Sequence, residues 1–326
     1  MLQVSIRPGQ PEDEKYIREF TATTFEWGDY VADAFPTWLK GPGDVWVAQH
    51  LERVVGVTHV HYTRNGEAWF EGIRVHPSYR RLGIGRLLTE ASISGARKKG
   101  ATMAFCAIDS TNEASSALAR SFGFEKTEHM IEHEKTLAGH PAGGGPQNNG
   151  ASHEYEIRPA TPQDYPRLID LAAQEVRFIG CNFRWRPVSL QNIAPESSEE
   201  RVLVAATDSG EVFACAFMGS VWEDPPRKEG EPWCFNVDIG AVFGELPAVS
   251  ALLDYAETRL WGHGSKAKRG LENGPEVGRE AELRIFVYTG QSQNSLSSYL
   301  LSRGFTVFSG LTCGAKAGIG IWSRVL

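Results

Sequence analysis

The stretch EGIRVHPSYRRLGIGRLL, residues 71–88, decides how the chain is read. Ile73, Val75 and the aromatic residues ahead of them form a strand running into His76-Pro77. Pro77 ends that strand, because proline cannot donate to a ladder and biases its predecessor away from helix. Beyond the turn, Ile84, Leu87, Leu88 and Ala91 recur at helical spacing. Between strand and helix lies Arg80-Arg81-Leu82-Gly83-Ile84-Gly85-Arg86. Gly83 and Gly85 let the backbone approach closely and aim its amides at an anion. The helix N-terminus adds roughly half a positive charge, and the arginines add whole ones. Strand, basic glycine turn and helix together suit a phosphate.

A G-x-G alone also suits a plain turn. No Gly-Lys-Ser/Thr follows it, against a nucleotide P-loop, and G-x-G-x-x-G is missing, against a dinucleotide site. The remaining pattern, R-x-x-G-x-G behind a strand ending in V-x-P, is followed by Asn112-Glu113-Ala114-Ser115-Ser116-Ala117-Leu118 and then Phe122-Gly123-Phe124. In this order the two segments resemble the pyrophosphate loop and the N-x-x-A-x-x-L…G-F helix and strand of the GNAT family of N-acetyltransferases. The resemblance implies an α/β (α+β, mixed) fold: a mostly antiparallel twisted sheet with helices on both faces. It also implies acetyl-CoA as co-substrate. Ile73, Arg74 and Val75 would then offer main-chain groups to the pantetheine arm. Arg80, Arg81, Leu82, Gly83, Ile84, Gly85 and Arg86 would surround the pyrophosphate. Asn112 resembles the family's asparagine that reaches the pantetheine arm; read by itself it is a helix N-cap, and both roles can hold.

The first strand opens a repeat. Ile6-Arg7-Pro8-Gly9-Gln10-Pro11-Glu12-Asp13 returns as Ile157-Arg158-Pro159-Ala160-Thr161-Pro162-Gln163-Asp164, with five identities in eight positions. Ser121-Phe122-Gly123-Phe124 returns as Ser302-Arg303-Gly304-Phe305. The spacing of the copies is far above the period of a solenoid, so a duplicated domain is expected: residues 1–137, a flexible Gly/Pro/Asn-rich linker at 138–153, and residues 154–326. In the second copy a strand at Trp233–Ile239 leads into Gly240–Pro247, read as a loop without a cation, where Glu245 occupies the place a pyrophosphate needs positive charge. That copy is expected to have lost the cofactor and to keep the scaffold, or to supply a wall of the acceptor pocket. Two polar inserts, Trp222–Pro232 and Gly262–Gly278, are expected as surface loops.

At 326 residues the chain has room for two cores, and 41% hydrophobic and 22% charged residues are ordinary for a globular protein. The absence of a long apolar run or a signal segment, with five cysteines and no C-x-x-C, leads us to expect a cytoplasmic protein with reduced thiols, no membrane and no metal. A net charge of −7 argues against a nucleic-acid partner and accommodates an amine. A monomer or homodimer is expected.

Acetylating an amine requires a base, since alkyl ammonium groups titrate near ~10.4. Glu71, on the strand entering the loop and on the same face as Ile73 and Val75 by period-two alternation, is the candidate; a solvated strand carboxylate looks the same in sequence. Glu67 and His76 are lesser candidates. Phe25–Tyr30, with Asp29 and Tyr30 as acceptor-site candidates, would form the acceptor side, and Phe35 and Trp38 read as core. Many GNAT members carry a tyrosine after the leucine of N-x-x-A-x-x-L; here that position is Ala119, so no general acid is assigned. Tyr30 or Tyr79 could substitute, or the thiolate leaves unprotonated. Cys106, in an apolar strand, is expected to be inert.

Overall fold

The computed structural model describes residues 3–22, 24, 29–63, 66–137, 154–181, 184–198, 201–224, 233–271, 281–307 and 318–326. The expected linker and Phe25–Gly28 lie outside the described residues. The elements of the first copy are β1 (Ser5–Pro8), α1 (Glu14–Thr21), α2 (Val31–Lys40), β2 (Gly43–His50), β3 (Arg53–Tyr62), β4 (Glu67–Val75), α3 (Ile84–Lys98), β5 (Met103–Asp109), α4 (Glu113–Ser121) and β6 (Glu125–Leu137). The second copy has β7 (Glu156–Pro159), α5 (Tyr165–Glu175), β8 (Phe178–Cys181), β9 (Arg184–Pro187), α6 (Leu190–Ser198), β10 (Val202–Ala206), β11 (Val212–Met218), β12 (Trp222–Asp224) and β13 (Trp233–Gly244). It continues with α7 (Leu246–Leu271), β14 (Ala281–Gly290), α8 (Asn294–Ser302), β15 (Thr306–Val307) and β16 (Ile319–Val325).

Both sequence repeats have a local cause. Arg7 donates to both oxygens of Asp13 at 2.7 Å, and the Gln10 amide donates to the same carboxylate. Arg158, Asp164 and the Thr161 amide rebuild this corner in the second copy, at 2.7–2.9 Å. The buried carboxylate ties the strand end to the helix start. The Gly-Phe repeat ends a helix: Gly123 N–H donates to Arg120 C=O and Phe124 N–H to Ala119 C=O, while Gly304 and Phe305 do the same to Leu301 and Leu300. Both glycines adopt positive φ and both following phenylalanines are buried, the hydrogen-bond pattern of a Schellman cap.

The first compact unit comprises residues 1–108, 112–127 and 321–326. Its strand order is β1-β2-β3-β4-β5-β16, antiparallel except for the β4–β5 step. On one face α1 and α2 bury Ile17, Phe20, Phe35 and Trp38 against Val45, Val47 and Val57; each such side chain contributes about 1.5–3 kcal/mol. On the other face Ile84 and Leu88 of α3 pack on Ala48 and Val55. The final strand comes from the end of the chain. Trp322 is buried with Ile93, Ala104, Ile108, Ala119 and Phe124, Arg324 donates to the Phe122 carbonyl, and Leu326 N–H donates to Thr102 C=O at 2.9 Å.

The second unit comprises 109–111 and 128–320, with strand order β6-β14-β13-β11-β10-β7. Here residues 130–137 of β6 lie along β14, in the place β16 takes beside β5. The expected bounds at 137 and 154 therefore mark the sequence copies, whereas compactness divides the chain at Thr127, and each unit takes a strand from beyond its own copy. Three sequence expectations are corrected here. Gly240–Gly244 is not loop but continues β13, with Ala241, Val242 and Phe243 buried. Trp222–Asp224 pairs with β13 as β12, and α7 runs on to Leu271; the rest of both inserts, 225–232 and 272–278, lies outside the described residues. Burial of apolar side chains in the first case, and continuation of the α7 helix in the last, override equivalence with the first copy's turn and the polarity of the insert.

Within this unit Glu132 stands opposite Tyr288 in the β6–β14 ladder. Burial, with Glu134, Asp109 and Asp238 adding repulsion, pushes the Glu132 carboxyl up to about 7. Neighbouring His133 is pushed down to about 4 by burial. The signs oppose: Glu132 contributes stability that is full below its unfolded value and lost as pH rises toward 7, whereas the His133 contribution is lost as pH falls from 6.5 toward 4. Glu132→Gln should therefore match the wild type near pH ~5 and exceed it by about 2 kcal/mol near pH ~8, read as the unfolding midpoint at each pH. An equal offset at both values would show that Glu132 does not carry the effect.

Candidate active site

The strand β4 does not alternate throughout. His59 pairs with Glu71 and Val57 with Arg74, so Gly72 and Ile73 together stand opposite Thr58. Gly72 has φ +67°, and a Cβ there would lie 2.4 Å from Cη2 of Trp38. The bulge corrects the expectation that Glu71 shares a face with Ile73 and Val75. Ile73 and Val75 pack toward α3 with Ile84 and Leu88. Glu71 faces α2, where its Oε1 lies 2.8 Å from Nδ1 of His59. The His59 ring stacks on the Trp38 indole with centroids 4.7 Å apart at 9°. Tyr30 meets Trp38 edge-on at 6.1 Å.

Asp29 and Tyr30 reach the same cluster through Arg74. The Arg74 guanidinium binds the Asp29 carboxylate at 2.6 and 3.2 Å and lies over the Tyr30 ring. Asp29 also accepts from the Val31 amide, and its side chain is only 1% exposed. Its carboxylate therefore fixes Arg74 and the start of α2, while Tyr30, 55% exposed, keeps its ring open to solvent. Glu67 and His76 lie elsewhere on the path of the strand: Glu67 opens β4, and His76 Nδ1 accepts from the Ser78 amide as a turn residue. Cys106 is inert, its thiol pushed up to about 12 by burial.

The parallel pairing of β4 with β5 stops at Trp69–Phe105, just before Glu71. Beyond that point β4 runs to the turn with its β5-facing edge outside the ladder. Arg74 and Arg80 donate side-chain N–H groups to the Ile73 and Val75 carbonyls on that run. Arg81 takes φ +67° and Gly83, at +82°, has nothing within 4 Å of where a Cβ would stand. The first helical bond of α3 is Leu87 N–H to Gly83 C=O, so the amides of Ile84, Gly85 and Arg86 have no acceptor within the helix. Leu82 is exposed beside them. The Arg86 side chain pairs with Glu90 and lies over Phe122, which leaves its amide as its contribution to the turn. Asn112 caps α4 by accepting from Ser115 N–H through Oδ1, which leaves its amide nitrogen as a donor. The residues expected around a pyrophosphate thus form one open turn of amides beside arginines.

In the second unit β13 stays paired with β14 from Trp233 to Ile239, and its bulge at Gly240 follows at once. The cleft at the starts of α7 and α8 encloses about 370 Å³, and Glu175 and Glu245 are among its lining residues, with no basic residue there. Gly244 N–H is taken by Glu175.

Residues 13–124 match the family model for the acetyltransferase (GNAT) family. The first unit has the GNAT fold. Along its whole length the chain is similar to a tandem GNAT protein from the clavulanic acid biosynthesis pathway, at 16% identity and a TM-score of 0.57, covering 99% of this chain and 98% of that one. A GCN5-related N-acetyltransferase from Sphaerobacter thermophilus gives 15% identity and 0.57 over 99% and 95% of the chains. A putative acetyltransferase from Thermoplasma acidophilum gives 16% and 0.52 over 99% and 100%. At these identities the structures establish the tandem GNAT fold. No curated protein matches the chain significantly. Among the described residues, no helix is long and apolar enough to cross a membrane, and no cluster fit to hold a metal is present.

Two site features escaped the reading of the sequence. His59 sits in a strand whose histidines look like ordinary alternation, and nothing local marks its partner. Gly72 carried a usable signal, since an isolated glycine inside a strand marks a bulge. The GNAT tyrosine position, Ala119, is buried against Phe124 and Trp322 and offers no hydroxyl.

Proposed function

We propose that the first unit transfers an acetyl group from acetyl-CoA to a primary amine, on a small molecule or amino acid, by direct attack in a ternary complex. The observation that carries the reading is the position of Glu71, one turn of strand past the point where β4 and β5 part and on the aromatic face made by Trp38 and Tyr30. The amides of residues 81–86 and the arginines beside them hold the pyrophosphate, and the freed edge of Ile73–Val75 receives the pantetheine arm. Glu71 takes the ammonium proton, the neutral nitrogen bonds to the acetyl carbonyl, the C–S bond breaks with the thiolate leaving, which a thiol titrating near ~8.5 permits, and the second proton, shed by the acylated nitrogen, passes to the thiolate or to solvent. The second unit binds no acetyl-CoA, because carboxylates line the cleft where phosphates would need cations. Buried Ala119 favours one other reading, a protein that binds acetyl-CoA without turning it over.

The test is CoA-thiol release from acetyl-CoA across amines including tyramine, amino acids, polyamines, aminoglycosides and peptides, beside a calorimetric count of acetyl-CoA per chain. Turnover with one acceptor class and one site per chain is expected. Binding without turnover would move the protein to the binding-only reading, and two sites per chain would overturn the assignment of the second unit.

A further inference from the structure

We infer that His59 is a positioning residue of this site: its ring, held between the Trp38 indole and Gly43, donates from Nδ1 to Glu71 and fixes the carboxylate that takes the acceptor's proton. The inference rests on the reading of Glu71 as that base.

A glutamate side chain on a bulged strand has several rotamers, and immobilising it costs entropy unless something fixed holds it. His59 is fixed. Its side chain is 3% exposed, and its face lies flat on Trp38. Its far edge meets β2, where a Cβ on Gly43 would stand 2.3 Å from Nε2. Gly43 is not at positive φ, so glycine is required there by space and not by backbone geometry. Gly72 clears the other side of the same stack, since a Cβ there would strike Trp38. Two glycines on separate strands thus make room for one indole–imidazole pair, whose outer nitrogen lies 2.8 Å from a carboxylate that is itself 14% exposed. A carboxylate only accepts, so Nδ1 carries the proton in that bond. Nε2 then points toward Gly43 of β2 and away from Glu71, which makes the ring a holder and not a second base.

The test compares full-length variants by CoA release with acetyl-CoA and tyramine. His59→Phe keeps the stack and removes the donor; His59→Asn keeps a donor near the Nδ1 position; Gly43→Ala crowds the ring at Nε2, together with the Val60 carbonyl, without altering Trp38 or Glu71. A lost bond to a charged group corresponds to about a 10- to 100-fold fall in kcat for His59→Phe. KM for acetyl-CoA should stay unchanged. The acid limb of the kcat/KM profile should move to higher pH, because a carboxylate without its donor takes up a proton more readily. His59→Asn should recover most of kcat and Gly43→Ala should lose it. Independently of any acceptor, isotope-labelled histidine should show a ring N–H protected from solvent exchange in the wild type and absent from His59→Phe. No such resonance, or wild-type kcat in His59→Phe, overturns the proposal. Wild-type kcat in Glu71→Gln overturns the base reading and this proposal together, whereas a slow Glu71→Gln beside a fully active Gly43→Ala and His59→Phe removes the positioning role alone. Should His59→Phe fail to fold, the Gly43→Ala kinetics and the resonance decide.

Discussion

Glu71→Gln should lower kcat by about 10²- to 10³-fold while leaving acetyl-CoA affinity within twofold. Glutamine has the shape of glutamate, and its carbonyl oxygen can still accept from His59, so the stack on Trp38 survives the change. What disappears is a group able to take a proton. The turn proposed to hold the pyrophosphate is built from amides of residues 81–86 and does not use this side chain, so binding measured by calorimetry should not move. The deficit should also shrink as the medium becomes more basic. Below the acceptor's own titration near ~10.4, each unit of pH multiplies the unprotonated fraction about tenfold, and the variant needs only that fraction. A variant whose rate climbs in this way while the wild type is flat identifies the missing function as proton removal. A variant as fast as the wild type at neutral pH would dismiss Glu71, and one that loses acetyl-CoA binding would place Glu71 in the cofactor site.

Ending the chain after Gly318 should abolish acetyl-CoA binding without altering any residue of the pyrophosphate turn. Residues 321–326 belong to the first unit, and β16 is the neighbour of β5 in its sheet. Removing them opens an edge of β5 and uncovers Ile93, Ala104, Ala119 and Phe124, the apolar floor under α3 and α4. Those two helices carry the open amides and Asn112. Trp322→Ala is the gentler form, expected to cost about 3–5 kcal/mol as a large buried side chain cut to a methyl. A synthetic peptide covering 318–326, added to the truncated chain, should restore binding. Unchanged affinity in the truncated protein would mean that the first unit stands without its last strand.

These two sites differ in how far the sequence revealed them. The pyrophosphate turn is local: glycines, arginines, a proline and a helix start stand within twenty residues, and each acts through its immediate neighbours. The Arg7–Asp13 corner and the Gly-Phe caps are local as well, and that is why both survive as repeats. Period-two reasoning put Glu71 on the wrong face because one extra residue at Gly72 shifts every side chain before it relative to those after it. His59 and Glu71 meet only through strand register, and Trp38, read as core, is both core and the wall of the site. In the second copy, equivalence with the first places a loop after Ile239, but Ala241, Val242 and Phe243 are buried and continue the strand. Trp322 could not be read at all, since its partners lie some two hundred residues earlier and no spacing rule links them.

The strand arrangement has a consequence for synthesis. When the ribosome has made Thr127, the first unit has its turn, its helices and nearly all its sheet, but not β16. About 190 further residues, Glu128 to Gly320, must be translated first, which at about 5–20 residues per second takes roughly 10–40 seconds. During that interval the edge of β5 is open. A product that stops before residue 319 would therefore carry every residue of the candidate site and still lack a strand of the unit that carries them. Acetyl-CoA binding would then report that β16 had been made and had joined its sheet.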